Sequence, residues 1–392
     1  MNTIKFEVPY NGDSLIISFY CDHKDHIAMV YGRAEDGYPQ GRKTSSLPPI
    51  SEQNIVKQVE ILGNQNIPFN YLLNGICHGN KEFSTPYRKE FINFVKRLLS
   101  YGVKIVTLSN LFFIEVIANE VPGIEIFASA ILEVDCLARL KQVAKLGIKY
   151  SCLSKTIYKN FVALESIGKY CERGIESVLL VNDPCLHHCA YTNYHNIILS
   201  HLTGDNIGCS SFCRLHCTKE FAQDDRCLIS ASFIRPEDLT EYSKLGFSIF
   251  KLCDRKHRTE WIIRAFNAYI QGNYEGNLAL IMAPWNKHEG QYDVPIDISV
   301  DEVLKRGEDA LRNEVRFTPY INNRGLDDYL KFWKEYKRLG CRDEDCDRCG
   351  YCAKIASEVI KGNPAHRRTI IRNINHVLQA STMISEERGE KS

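Results

Sequence analysis

Tyr101-Gly102-Val103-Lys104-Ile105-Val106-Thr107-Leu108-Ser109-Asn110 decides the fold, because the chain repeats its plan. The same plan recurs from Leu146-Gly147 to Lys155, from Arg173-Gly174 to Asn182, and from Leu245-Gly246 to Asp254. In each, a glycine closes a helix, where positive φ costs little without a Cβ. An apolar strand follows and ends in a polar residue. Strands apolar throughout are buried on both faces, as in parallel sheets. Strands are expected at 68–74, 103–110, 124–129, 148–154, 177–182 and 247–252. Helices are expected at 50–62, 85–99, 111–119, 134–146 and 157–171. This alternation predicts an α/β chain, a TIM-like (β/α)8 barrel over residues 50–272. A doubly wound open sheet is the alternative. It lacks support from any glycine-rich Gly-x-Gly-x-x-Gly turn after a strand.

Outward from the barrel, residues 4–31 alternate apolar and polar around a turn signal at Asn11-Gly12. They read as strands leading into the barrel, followed by a Gly/Pro-rich loop to residue 49. Residues 273–325 lack periodicity and predict an irregular excursion. A helical extension over 326–380 follows, with helices at 326–339, just after Cys352 to about residue 360, and at 367–378. Residues 381–392 read as a disordered tail.

The chain has 392 residues, 44% hydrophobic and 25% charged, with net charge +1. That balance gives no global field toward nucleic acid or an anionic membrane. No apolar run approaches the ~20 residues that span a bilayer, and the first residues lack a secretory pattern. The chain therefore reads as cytoplasmic. Sixteen cysteines are many for such a chain. In a reducing compartment they point to metal ligation rather than disulfides. Cys77, Cys136, Cys152, Cys171 and Cys227 stand alone among apolar residues and read as core.

Two cysteine sets remain. Val181-Asn-Asp-Pro-Cys185-Leu-His-His-Cys189 is answered by Cys209-Ser-Ser-Phe-Cys213-Arg-Leu-His-Cys217. Cys185 and Cys189 follow directly on a strand end, the catalytic end of a barrel. With Cys213 and Cys217 they supply the four thiolates of a [4Fe–4S] cluster, Cys209 being the substitute for either of the second pair. Near the C-terminus stands Cys341-x4-Cys346-x2-Cys349-x2-Cys352. This spacing suits a second iron–sulfur cluster, with tetrahedral zinc as the competitor.

Other polar residues project from strand ends. Asn74 and Asn110 suit substrate binding by hydrogen bonds, and Lys251 suits an anionic substrate group. Arg235 and Arg255 are placed to clamp a carboxylate or phosphate, and Asn182 to orient a substrate. His78, His188 and His195 are acid–base candidates. The catalytic set taken from these is Asn182, His188, Arg235 and Arg255.

The ordered motifs resemble peptidase family U-thirty-two (U32), the collagenase-like peptidases. They are Val181 to Cys189, then Cys213-Arg214, then Phe233-Ile-Arg-Pro-Glu-Asp-Leu239, then Phe250-Lys-Leu-Cys-Asp-Arg255. The resemblance covers about residues 50–280. It implies a TIM-like barrel holding a [4Fe–4S] cluster. It also implies an oxidoreductase performing oxygen-independent hydroxylation of a small molecule or an RNA base, some relatives taking oxygen from prephenate. The chain departs from the family at Thr240, where some relatives have a ligand cysteine, and at Cys253-Asp254, where relatives have Glu-Gly. The C-terminal cysteine set is a further departure, so a divergent branch is expected. The expected partners are that substrate and an electron-transfer protein, without a membrane. A metal-dependent peptidase is one alternative. An RNA-binding or scaffold protein with structural metals is the other.

Overall fold

A computed structural model describes residues 3–41, 49–171, 174–205, 212–285, 297–306 and 314–387. Cys209, residues 42–48 of the loop expected before the barrel helices, part of the excursion and the last five residues of the tail lie outside the described residues.

Eight parallel strands close into one barrel in the order β1 to β8, with β8 pairing back onto β1. They are β1 (Lys5–Pro9), β2 (Ile27–Gly32), β3 (Phe69–Leu73), β4 (Ile105–Leu108), β5 (Glu125–Ala128), β6 (Tyr150–Cys152), β7 (Glu176–Leu180) and β8 (Ile249–Lys251). Closure excludes the open doubly wound sheet. The barrel also begins earlier than residue 50, since β1 and β2 lie in the segment read as leading into it.

The expectation of strands throughout 4–31 fails in its middle. Ser14–Asp22 is helix α1, capped by Asp13, whose carboxylate accepts from the Leu15 amide. Ile16, Ile17 and Tyr20 are buried while Leu15 is 69% exposed, the one-sided spacing of a helix. Helices α2 (Glu52–Gly63), α3 (Thr85–Ser100), α4 (Leu111–Glu120), α5 (Leu137–Ala144) and α6 (Phe161–Cys171) follow β3's predecessor loop and strands β3 to β6 in turn. Gly168 of α6 packs directly against backbone. A Cβ there would stand 1.8 Å from the Leu245 carbonyl oxygen.

After β7 the chain departs from the simple repeat. Helices α7 (Thr192–Gly204), α8 (Phe212–Gln223) and α9 (Asp225–Ser230) precede α10 (Leu239–Ser243), β8 and α11 (Thr259–Gln271). The excursion holds α12 (Val300–Arg306) and the short strand β9 (Tyr320–Ile321). The single helix expected over 326–339 is absent. A 3₁₀ turn at Asn323–Leu326 and one π-helical turn at Phe332–Tyr336 stand in its place. Packing explains the break: Tyr329 stacks on Phe233 and Trp333 is buried, so the chain bends to seat both rings. Then come α13 (Cys346–Cys349), α14 (Tyr351–Val359), β10 (Ile360–Lys361) and α15 (Pro364–Glu387). The last helix is longer than expected and runs into the supposed tail. α14 packs on α9, and α15 on α8 and α12. The C-terminal segment thus covers the helices that follow β7. No helix among the described residues is long and apolar enough to cross a membrane.

Candidate functional site

The loop after β7 begins with Asn182 and Asp183 and reaches Cys185 and Cys189. It faces α8, which carries Cys213 and Cys217. The two segments are joined by rings: Tyr191 stacks on His216 with centroids 5.0 Å apart. Cys217 donates to the Arg214 carbonyl at 3.2 Å. Burial pushes the Cys217 thiol up to about 12, and the charges of Cys185, Cys189 and Cys213 push the same way. Cys185, Cys189 and Cys213 therefore each lie within electrostatic reach of Cys217.

Lys155, just beyond β6, donates to Cys185 Sγ at 2.8 Å, to Asp183 Oδ2 at 3.0 Å and to the Asp183 carbonyl at 3.2 Å. A charge-assisted donor at a sulfur favours its thiolate form. Beside it, the Glu133 carboxyl is raised, first by burial, while Ser154 and Lys155 oppose the rise. Sequence reading passed over Lys155, Asp183 and Glu133. The first two were visible as the residues next to the polar strand ends Ser154 and Asn182.

The second cysteine set also gathers. Burial pushes Cys352 up to about 11, and Cys341, Cys346 and Cys349 add to the rise. Cys227 of α9, read as core, feels Cys346 as well. Cys136, also read as core, is exposed. Trp333 donates its indole N–H to Cys341 Sγ at 3.0 Å. Burial pushes His187 down to about 3, with the Lys159 ammonium acting in the same direction and the Cys341 backbone against it. His188, with φ of +46°, sits edge-on to His187, centroids 4.2 Å apart. Burial lowers His188 as well, with Arg342 acting in the same direction and Asp135 and Asp343 against it. The Cys185–Cys189 loop thus touches the C-terminal set.

The remaining expected site residues are held by the protein itself. Asn182 donates to the carbonyls of Cys253 (2.7 Å) and Ile281 (3.1 Å) and accepts from the Cys253 amide (2.7 Å). Arg235 makes a two-pronged bond to Asp238 (2.8 and 2.9 Å), reaches the Asn323 carbonyl and lies over Tyr329. Arg255 donates to Gln40 Oε1 at 2.7 Å. Asn110 caps α4 and donates to Glu82, and Asn74 accepts from the Gly41 amide. Lys251 pairs with Glu7 Oε1 at 2.6 Å and lies 3.9 Å above the Tyr31 ring. Glu7 is fully buried, and burial raises it against the pull of Lys251 and Asn70. His78 is buried among Tyr87, Phe91 and Phe113 and lies 2.9 Å from the Tyr87 hydroxyl. His195 lies within α7, its amide bonded to the Tyr191 carbonyl.

A tetrahedral ion needs its donors within about 2.3 Å of one point. Among the described residues no three His, Cys, Asp or Glu side chains are close enough for that. A cubane presents separate iron corners, so its ligand sulfurs stand farther apart. Four cysteines on the β7 loop and α8, with a lysine donor at the Cys185 sulfur, are the donor type such a group takes.

No family model matches the chain. It is 27% identical over 331 residues to a protein of Methanocaldococcus jannaschii named as an uncharacterized protease, spanning 83% of this chain and 87% of that protein. A solved U32 peptidase superposes with a TM-score of 0.49 at 13% identity, over 65% of this chain and 94% of that one. A chitinase from Rhizomucor miehei gives 0.38 at 9% identity, over 68% and 98%. The sequence likeness to a protein named as a protease runs along most of the chain, which accords with the peptidase-family resemblance of its motifs.

Proposed function

We propose that the chain is an iron–sulfur oxidoreductase whose [4Fe–4S] centre is held by Cys185, Cys189, Cys213 and Cys217. What supports this reading is the placement of two cysteines on the loop after β7 and two on α8, the segments being joined by the Tyr191–His216 stack, with the Lys155 ammonium at the Cys185 sulfur. Such a centre supplies one-electron chemistry and a site for oxygen-atom transfer. The protein's own part is positional. Asn182 fixes the β7 and β8 loops to each other, so the mouth keeps its shape. Lys155 holds Asp183 and Cys185 together. The substrate class proposed is a small molecule or an RNA base, hydroxylated without dioxygen: the oxygen comes from a hydroxyl donor such as prephenate, and the two electrons released leave one at a time to an electron-transfer protein. The test is anaerobic incubation of iron-loaded protein with RNA or with aromatic acids, prephenate and an oxidised one-electron carrier, read by mass spectrometry. A gain of one oxygen atom, lost in Cys185→Ala, is expected. No such gain with either substrate class sinks the hydroxylase reading.

A second reading has its own support. The relative over most of the chain is named as a protease. Cys185, with a lysine ammonium at its sulfur, has the form of an activated nucleophile. Cleavage of a peptide library by metal-free protein, abolished by alkylation of Cys185, would favour that reading over the first.

A further inference from the structure

We infer that Cys341, Cys346, Cys349 and Cys352 hold a second iron–sulfur centre, compensated by the buried ammonium of Lys159 and linked to the central one through His187. The electron link rests on the function proposed above; the second metal site does not.

Lys159 is 4% exposed. Its ammonium donates to the carbonyls of Ile229 (2.8 Å) and Ala231 (3.1 Å) and lies 4.5 Å above the Trp333 ring. No carboxylate pairs with it among the described residues; the groups facing it are the thiols of Cys352 and Cys341. Burying an ammonium without a counter-charge costs several kcal/mol. The cost is relieved if the sulfurs it faces belong to an anionic centre, as four thiolates around a cubane do. The Trp333 indole, whose ring carries Lys159 on its face, gives its N–H to Cys341 Sγ. Hydrogen bonds and positive charge at ligand sulfurs both stabilise the reduced state.

The geometry also joins the two sets. His187 lies between Cys185 and Cys189 in sequence, and its ring feels both the Lys159 ammonium and the Cys341 backbone. Its Nε2 is buried and finds no hydrogen-bond partner among the described residues. In the electron step the reduced central centre gives one electron to the oxidised C-terminal centre, and no bond forms or breaks. An oxidised one-electron carrier protein of the ferredoxin or flavodoxin class takes that electron away, and two such steps remove the two electrons that hydroxylation releases.

The test uses full-length protein purified anaerobically and reconstituted with iron and sulfide. The wild type is expected to hold about eight irons. Cys346→Ser, at an exposed cysteine, and the pair Cys346→Ser/Cys349→Ser should lose about half of them. Cys185→Ala should lose the other half. In Lys159→Met the iron count should hold while the midpoint potential of the C-terminal centre falls. When both centres are reduced, their electron paramagnetic resonance signals should broaden each other. A count of about four irons that Cys346→Ser/Cys349→Ser leaves untouched, or zinc in place of iron there, overturns the second centre alone. A count that Cys185→Ala leaves untouched, while the C-terminal variants empty the protein, overturns the central reading instead. Iron in both sets with an unmoved potential in Lys159→Met and no broadening overturns the compensation and the link.

Discussion

Lys155 and Lys159, four residues apart in sequence, serve different sets of sulfur. The first donates to Cys185 Sγ at 2.8 Å, and the second is buried facing Cys341 and Cys352. One short segment after β6 thus supplies a cation to each cysteine set. The pairing gives Lys155 a measurable role. Lys155→Met should leave the fold intact and speed the loss of central iron to a chelator by about tenfold, the effect of one charge-assisted hydrogen bond. Lys155→Arg should recover most of the retention. Unchanged release in both variants would remove Lys155 from the site.

Asn182 and Arg235 were expected to be catalytic, and their bonds give them structural work. Arg235→Ala leaves Asp238 buried and unpaired, and should cost about 3–5 kcal/mol in urea unfolding. Asn182→Ala strands two carbonyls and one amide and should cost a similar amount, about 3 kcal/mol. Under conditions where both variants are folded, iron content should match the wild type. A stable Arg235→Ala protein lacking activity would support the catalytic assignment.

His78 makes folding sensitive to acid. Burial takes it from its ordinary 6.5 down to about 4. The unfolded chain therefore takes up the proton first. The stability from its neutral ring is complete above about pH 6.5, falls as pH drops through the interval, and levels off below about 4. The loss across that window is about 3 kcal/mol. His78→Gln should flatten this part of the stability–pH curve. A curve of unchanged slope would place the sensitivity elsewhere.

Gly168→Ala tests the packing of α6. The added methyl would meet the Leu245 carbonyl oxygen, a backbone atom that cannot rotate away. A destabilisation of at least about 2–3 kcal/mol is expected in thermal unfolding, against a small gain for an ordinary helix site. A neutral or stabilising result would show that α6 and the Leu245 turn can separate freely.

The barrel was legible because its signal is local. Gly102, Gly147, Gly174 and Gly246 have positive φ and close the stretches before β4, β6, β7 and β8. The misreading of α1 had a local cause too. Leu15-Ile-Ile-Ser-Phe-Tyr20 is an apolar run whose β-branched residues favour a strand, and the Asp13 cap that decides for helix is one side chain. The cysteine sets were legible by spacing. Lys159 was not, because its partners at Ile229, Ala231, Trp333 and Cys352 lie far along the chain. The bonding partners of Asn182 and Arg235 were hidden for the same reason: Cys253, Ile281 and Asn323 lie far from them along the chain.

The measurement that bears most directly on the central claim is the iron and sulfide content of anaerobically purified Cys217→Ala beside the wild type, with Mössbauer spectra of both. The account predicts a brown wild type with cubane iron, and a folded variant that has lost the iron of one centre. A wild type that stays colourless and metal-free after reconstitution, or a Cys217→Ala protein with undiminished cluster iron, would contradict it.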